Sequence, residues 1–220
     1  MYQKGFCLIK GSRKYIPQAT IDRLSIYHRT LELLLESKKE KPINTISSSM
    51  LSEMTGISPH QIRKDLSYFG EFGKRGIGYP ISELLVTLKG ILKSNKKWDI
   101  VLVGAGNIGT AFLRYKGFSK RGFMIKAVFD NDIYKIGKKI GSIKIRPMKE
   151  MEDYLRIKKI KIGIITVPAE SAQEVADKMI AGGVRAILNF APISIKHPRE
   201  VIIKHIDIAI ELEKLVFYLS

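Results

Sequence analysis

The spacing of apolar positions changes character near residue 97. Upstream it is helical: from Pro17, a proline suited to a first turn, Ile21, Leu24, Leu31 and Leu35 recur on one face to about Glu36. Lys38 to Lys41 and Pro42 break that helix, and Ser47-Ser48-Ser49 open a short second one, with Met50, Leu51 and Met54, that stops at Gly56. Ser58-Pro59-His60-Gln61 supplies an N-cap serine, a proline at N1 and a glutamine at N3, which marks the start of a third helix with Ile62, Leu66 and Phe69 on one side. Ser82 to Leu92 reads as a linking helix, and Asn95-Lys96-Lys97 as a domain boundary.

Downstream, apolar runs of strand length alternate with helical segments. Ile100 to Val103, Phe123 to Phe129, Ile162 to Thr166, Val184 to Asn189 and Val201 to Ile206 are the strands; Pro147 to about Ile157 and Ala169 to Ala181 are helices between them. Strands and helices alternating at this spacing predict a doubly wound parallel sheet. The last helix, Asp207 to Leu219, is apolar at Ile208, Ile210, Leu212, Leu215, Val216 and Phe217, on more than one face, so it needs a partner on each side.

Composition narrows the class. A chain of 220 residues can form two small domains, and its 45% hydrophobic content is ordinary for a globular protein. One cysteine, Cys7, makes no internal disulfide and provides no metal-ligand cluster, and no apolar run approaches the length of a membrane span, so a cytoplasmic protein without metal is expected. The formal charge of +17 invites a polyanion. Residues 1–90 hold 14 basic and 8 acidic residues and residues 91–220 hold 24 and 13, so the excess does not locate the partner. Residues 1–15, basic at Lys4, Lys10, Arg13 and Lys14 without an acid, are expected to be a loose arm.

Two stretches carry chemistry. The strand Ile100 to Val103 runs into Gly104-Ala105-Gly106-Asn107-Ile108-Gly109 and then a helix-forming segment, the setting of a dinucleotide-binding turn. Gly104 permits the tight turn, Gly106 lets backbone approach a pyrophosphate, and Gly109 lets the helix pack on its strand, while the helix N-terminus offers N–H groups to phosphate. The second strand ends in Asp130, whose carboxylate suits the adenosine ribose hydroxyls; Lys135 and Lys138 follow closely. The strand ends at Thr166 and Asn189 are expected to face the same crevice.

The other stretch is Gly56-Ile57-Ser58, a tight turn between two short helices, hence a helix-turn-helix. Its second helix leaves Gln61, Arg63, Lys64 and Ser67 outward, the layout of a DNA recognition helix. Beyond it, Phe69 to Tyr79 alternates apolar residues with glycine around a tip bearing Lys74 and Arg75, as in the β-ribbon of a winged helix that reaches a DNA backbone or minor groove.

The wording along the chain resembles the Rex family of redox-sensing transcriptional repressors. The strings are Ile16 to Thr20, Ile62 to Gly70, Gly76 to Tyr79, Val103 to Gly109, Thr166-Val167-Pro168-Ala169 and Ile187 to Pro192; the likeness spans about Ile16 to Leu219. The resemblance implies a winged-helix DNA-binding domain over residues 16–92, a Rossmann domain for NADH or NAD+ over 97–206, and a C-terminal helix over 207–220 exchanged within a homodimer. It implies binding to double-stranded operator DNA at an inverted repeat, with release by NADH. It adds Tyr68 to the DNA contacts and Val167, Pro168, Phe190 and Tyr115 to the cofactor contacts. Arg29, Tyr115 and Asp207 match a switch in which Asp207 pairs with Arg29 or Tyr115 according to nucleotide state. Ile208 departs from relatives that carry an aromatic residue there.

The competing class is an NAD-dependent oxidoreductase, which needs a substrate domain and a proton-transfer group near the nicotinamide. Little of the chain is left for one: a DNA-binding module precedes the cofactor domain and one helix follows it. His28, His60, His197 and His205 lie outside any catalytic motif. No enzyme is expected.

Overall fold

The computed structural model describes residues 6–9, 12–37, 43–70, 73 and 76–219, with 6–9 and 12–15 by backbone alone. The chain divides into two compact units after Lys96.

In the first unit, β1 (Phe6–Ile9) and β2 (Ser12–Tyr15) pair as an antiparallel hairpin where a loose arm was expected. Helix α1 (Gln18–Glu36) buries Thr20, Leu24, Tyr27, Leu31 and Leu34. The apolar reading of that face differs by part of a turn, since Ile21 is half-buried and Leu35 exposed. The reason is polar: Thr20 and Tyr27 turn inward to meet a buried carboxylate on the recognition helix. Helix α2 (Ser48–Thr55) is capped by the Ser47 hydroxyl, which accepts from Met50 N at 3.0 Å, and ends at Gly56 in the left-handed conformation that glycine adopts without strain. Helix α3 (Pro59–Ser67) begins as expected, with Ser58 accepting from Gln61 N at 3.3 Å.

A two-stranded pairing missed by sequence reading closes this unit. β3 (Thr45–Ile46), just before α2, pairs antiparallel with β4 (Tyr79–Pro80), the descending end of the expected ribbon, and α4 (Ile81–Ile91) follows. Gly78, at φ +92°, lies so close to the Ile46 carbonyl that a Cβ would stand 2.6 Å from its oxygen. The tip residues Lys74 and Arg75 lie outside the described residues.

The second unit runs β5 (Trp98–Val103), α5 (Asn107–Arg114), α6 (Gly117–Lys120), β6 (Phe123–Asp130), β7 (Lys139–Ile140), β8 (Ile143–Pro147), a 3-10 turn (Met148–Glu150), α7 (Met151–Lys158), β9 (Ile162–Ile165), α8 (Ala169–Ala181), β10 (Ala186–Asn189), β11 (Ile202–His205) and α9 (Ile208–Phe217). The sheet order is β11-β10-β9-β5-β6-β8-β7, parallel except for the β7–β8 hairpin. This is a doubly wound sheet whose order reverses between β5 and β9, where such sheets hold ligands. β7, β8 and α6 were not read from the sequence. The Ile143-Lys144-Ile145-Arg146 alternation is short and sits among lysines that dilute its apolar signal. Side chains such as Phe129, Met151, Leu155 and Met179 fill one face of the sheet, and Leu102, Val128 and Ile164 the other. None of α9 is buried.

Candidate functional site

At the β5–β9 reversal the glycine turn meets the strand ends. Gly104, at φ +98°, places its Cα against Thr166, and a Cβ there would stand 2.6 Å from the Thr166 carbonyl oxygen. Thr166 N donates to Val103 O at 2.9 Å, and its hydroxyl reaches the carbonyls of Val103 and Gly104 at 3.0 and 2.8 Å. Gly109 is buried, and a Cβ on it would collide with the Gly104 carbonyl oxygen; only hydrogen fits between α5 and the turn. Gly106 is different: a Cβ there meets nothing within 4 Å. It faces open space at the start of α5, whose first turn has no side-chain cap. The helix N–H groups are thus free to serve an anion.

The open space is a cavity of about 520 Å³, a size suited to a cofactor. Of the residues singled out beforehand, Gly104, Gly106, Asn107, Ile108, Asp130, Thr166, Val167 and Pro168 line it. Asp130 is held firmly in that lining. It is nearly buried; Oδ2 accepts from Ala105 N at 2.7 Å, Oδ1 from Asp132 N at 2.8 Å, and Lys135 Nζ stands 3.5 Å from Oδ2. The carboxylate therefore fixes the glycine turn as well as facing the cavity. Lys135 also reaches Asp132 at 3.4 Å and so offsets part of the negative charge.

Five expected cofactor residues stand outside this lining. Ala105 spends its N–H on Asp130, and Gly109 serves packing. Asn189 is fully buried; its amide donates to the carbonyls of Ala191 and Ile193 at 3.0 and 3.1 Å and its oxygen accepts from Ala191 N. It shapes the loop after β10, with His205 Nδ1 3.0 Å away. Phe190 packs on Phe112, ring centroids 4.8 Å apart. Tyr115, at the end of α5, borders a different cavity.

The helix-turn-helix rests on a network that the sequence did not reveal. Asp65, fully buried on α3, accepts from Thr20 Oγ1 (3.1 Å), Arg23 Nε (2.6 Å) and an Arg23 terminal nitrogen (2.8 Å), Tyr27 OH (2.8 Å) and Gln61 Nε2 (2.8 Å). Burial alone would raise the Asp65 pKa, but these bonds, that of Arg23 first, outweigh it and hold the carboxyl below its ordinary value. Burial, then the bond to Asp65, pushes the Tyr27 phenol up.

This network changes which side chains remain for DNA. Gln61 is committed to Asp65 instead of closing a capping box. Arg63 donates to Ser48 Oγ at 2.8 Å, Ser67 donates to the Lys64 carbonyl, and Tyr68 packs against the core. Lys64 is exposed, and among the described residues its ammonium has no partner. Lys64→Ala is expected to cost about 1–3 kcal/mol on a specific site if the lysine reads a base edge. Equal weakening on random DNA, with a shallower salt slope, assigns it to phosphate instead; binding measured against salt on both DNAs separates the outcomes.

Of the three residues expected to form a switch, Arg29 lies on α1 in the first unit and Tyr115 and Asp207 lie in the second. Asp207 is the N-cap of α9, its Oδ1 accepting from Ala209 N at 2.9 Å.

A helix-turn-helix unit joined to a doubly wound sheet with a nucleotide-sized cavity defines the class of two-domain, ligand-responsive DNA-binding regulators. Comparison with known proteins agrees. Residues 15–67 match the family described as "Putative DNA-binding protein N-terminus", and residues 95–193 match the CoA binding domain family. The redox-sensing transcriptional repressors Rex of Pelotomaculum thermopropionicum and Carboxydothermus hydrogenoformans are each 48% identical, over 93% and 92% of this chain and 94% and 95% of their own lengths. The crystal structure of RSP with β-NAD+ and operator DNA superposes with a TM-score of 0.86 at 38% identity, covering 94% of this chain and 93% of that one. RSP with β-NADH gives 0.84 at 36%, covering 94% and 95%. The chain belongs to the Rex family of redox-sensing transcriptional repressors. That membership decides against the oxidoreductase reading, since the family regulates transcription instead of turning over substrate.

Proposed function

We propose that this repressor binds operator DNA as a homodimer and lets go when NADH fills the cavity at the β5–β9 reversal. The observation that carries the reading is the convergence at one cavity of Gly106, the uncapped start of α5 and Asp130. The helix donors serve the pyrophosphate and Asp130 the adenosine ribose, while Thr166, Val167 and Pro168 line the β9 side. Likeness to a relative solved with NAD+ and operator DNA, and to the same relative with NADH, supports both partners. In the dimer, two α3 helices enter major grooves of an inverted repeat with Lys64 foremost. Helix α9, exposed at Ile208, Ile210, Leu212, Leu215, Val216 and Phe217, supplies the surface that a second copy covers. A protein of this kind works in the cytoplasm.

The test is a titration of operator binding against NADH and NAD+. NADH is expected to weaken DNA binding, and DNA must weaken NADH binding by the same factor, with coupling on the order of 1–3 kcal/mol. Unchanged DNA affinity at saturating NADH overturns the reading.

The switch is assigned to Asp207, pairing with Arg29 or Tyr115 according to nucleotide state. Because Asp207 also caps α9, alanine would confuse two effects; Asp207→Asn keeps an acceptor for the cap while removing the charge. The variant is expected to retain NADH binding and to lose most of the coupling factor. Full NADH-induced release from DNA by Asp207→Asn would mean that the signal travels elsewhere.

A further inference from the structure

The carboxylate that ends β6 does not face the cavity alone. In the turn that follows, the Asp132 carbonyl accepts from Lys135 N at 2.9 Å and from Ile136 N at 3.0 Å, and Asp132 Oδ1 accepts from Tyr134 N at 2.9 Å. Gly137 N donates to Ile145 O at 2.9 Å and ties the far side of the turn to β8. A turn held at so many points brings the Lys135 ammonium back to 3.5 Å from Asp130 Oδ2 and 3.4 Å from Asp132 Oδ2. Asp130, Asn131 and Lys135 all line the cavity. The Asp130 side chain is only 11% exposed, whereas that of Lys135 is 38% exposed and can turn on its flexible stem.

NADH and NADPH differ at one position of the adenosine ribose, which bears a hydroxyl in the first and a phosphate monoester of about −1.5 to −2 charge in the second. A strand-end carboxylate accepts the hydroxyl and repels the phosphate, while sites that take the phosphate set a cation beside it. Here both kinds of group are present. Each Asp130 oxygen already accepts a backbone N–H, from Ala105 and from Asp132, which leaves about two of its four acceptor positions for ribose hydroxyls. Lys135 stands at ion-pair distance from that same carboxylate, so it reduces the negative potential that a 2′-phosphate would meet.

We propose that Lys135 sets how strictly this cavity rejects a 2′-phosphate: it acts as counter-ion to that group and narrows the preference for NADH over NADPH. This role rests on the cofactor reading above and deepens it. A compact charge on a flexible stem suits the task, because Lys135 can leave Asp132 for the phosphate while Asp130 stays bonded to the glycine turn. A lysine that merely braced the two carboxylates would affect NADH and NADPH alike.

The experiment titrates the full-length protein with NADH and, separately, with NADPH, both followed by nicotinamide fluorescence. The parent is expected to bind both, NADH the more tightly. Lys135→Gln is expected to weaken NADPH about tenfold more than NADH, the effect of removing a positive charge from beside the phosphate. Lys135→Arg, which keeps the charge, is expected to keep the parental ratio. Asp132→Asn retains an acceptor for Tyr134 N but releases the ammonium, and is expected to move the ratio the other way, toward NADPH. Equal losses of NADH and NADPH in Lys135→Gln assign the lysine to bracing Asp130 and overturn the proposal. A parent that binds NADH and excludes NADPH overturns this role alone, whereas a parent that binds neither dinucleotide overturns the cofactor reading and this role with it.

Discussion

Asp65→Ala is expected to lower the stability of the DNA-binding unit by about 3 kcal/mol, because it leaves the buried hydroxyls of Thr20 and Tyr27 without their acceptor and the half-buried Arg23 without its counterion. In a domain of this size that moves the melting temperature by well over 10 °C. Arg23 and the buried Tyr27 hydroxyl lose their acceptor, and α3 loses its tether to α1. Operator affinity should fall with it, although Asp65 faces away from solvent. Should the alanine variant fail to fold, Asp65→Asn keeps the shape and two donors' worth of acceptor oxygen and is read by the same melt. A loss below about 1 kcal/mol in Asp65→Asn would mean that the network contributes no more than a surface pair does. The network also has a pH signature. The folded-state pKa is depressed below 3.8, so its stability is fully present above that value and is lost as pH falls through the folded value. Acid unfolding below pH 3.8 should therefore be less steep in Asp65→Asn than in the parent.

The second large effect separates two glycines of one motif. Gly109→Ala puts a methyl onto the Gly104 carbonyl, so α5 must lift from its strand; a cost of about 1–3 kcal/mol in stability is expected together with loss of NADH binding. Gly106→Ala adds a methyl to empty space at an ordinary negative φ, and the melting temperature should stay the same or rise slightly. NADH affinity should nevertheless drop by about tenfold to a hundredfold, since the methyl enters the space proposed for the pyrophosphate. Melting and fluorescence titration of both variants check the contrast. Parental NADH affinity in Gly106→Ala would remove the pyrophosphate from this turn.

Much of this molecule was legible in its sequence because the relevant physics is local. The glycine turn is a backbone requirement, met by residues within six positions of each other, and the N-caps Ser47 and Ser58 act over three residues. Strand ends at Asp130 and Thr166 follow from sheet periodicity, so their convergence on one cavity could be anticipated from the alternation of strands and helices. The apolar residues of α9, exposed in the structure, were legible for the same reason. Tertiary structure decided what depends on contacts distant in sequence. Asp65 on α3 meets Thr20, Arg23 and Tyr27 only because α1 brings them to it from 38 to 45 positions away, and the same carboxylate takes Gln61, expected at DNA, into a structural bond. Asn189, expected at the ligand, is drawn inward to donate to the carbonyls of Ala191 and Ile193 in the loop after β10. The strand pair β3–β4, the β7–β8 edge and the cavity beside Tyr115 share this origin: each joins short segments with weak local signals, and only the closing of the chain sets them side by side.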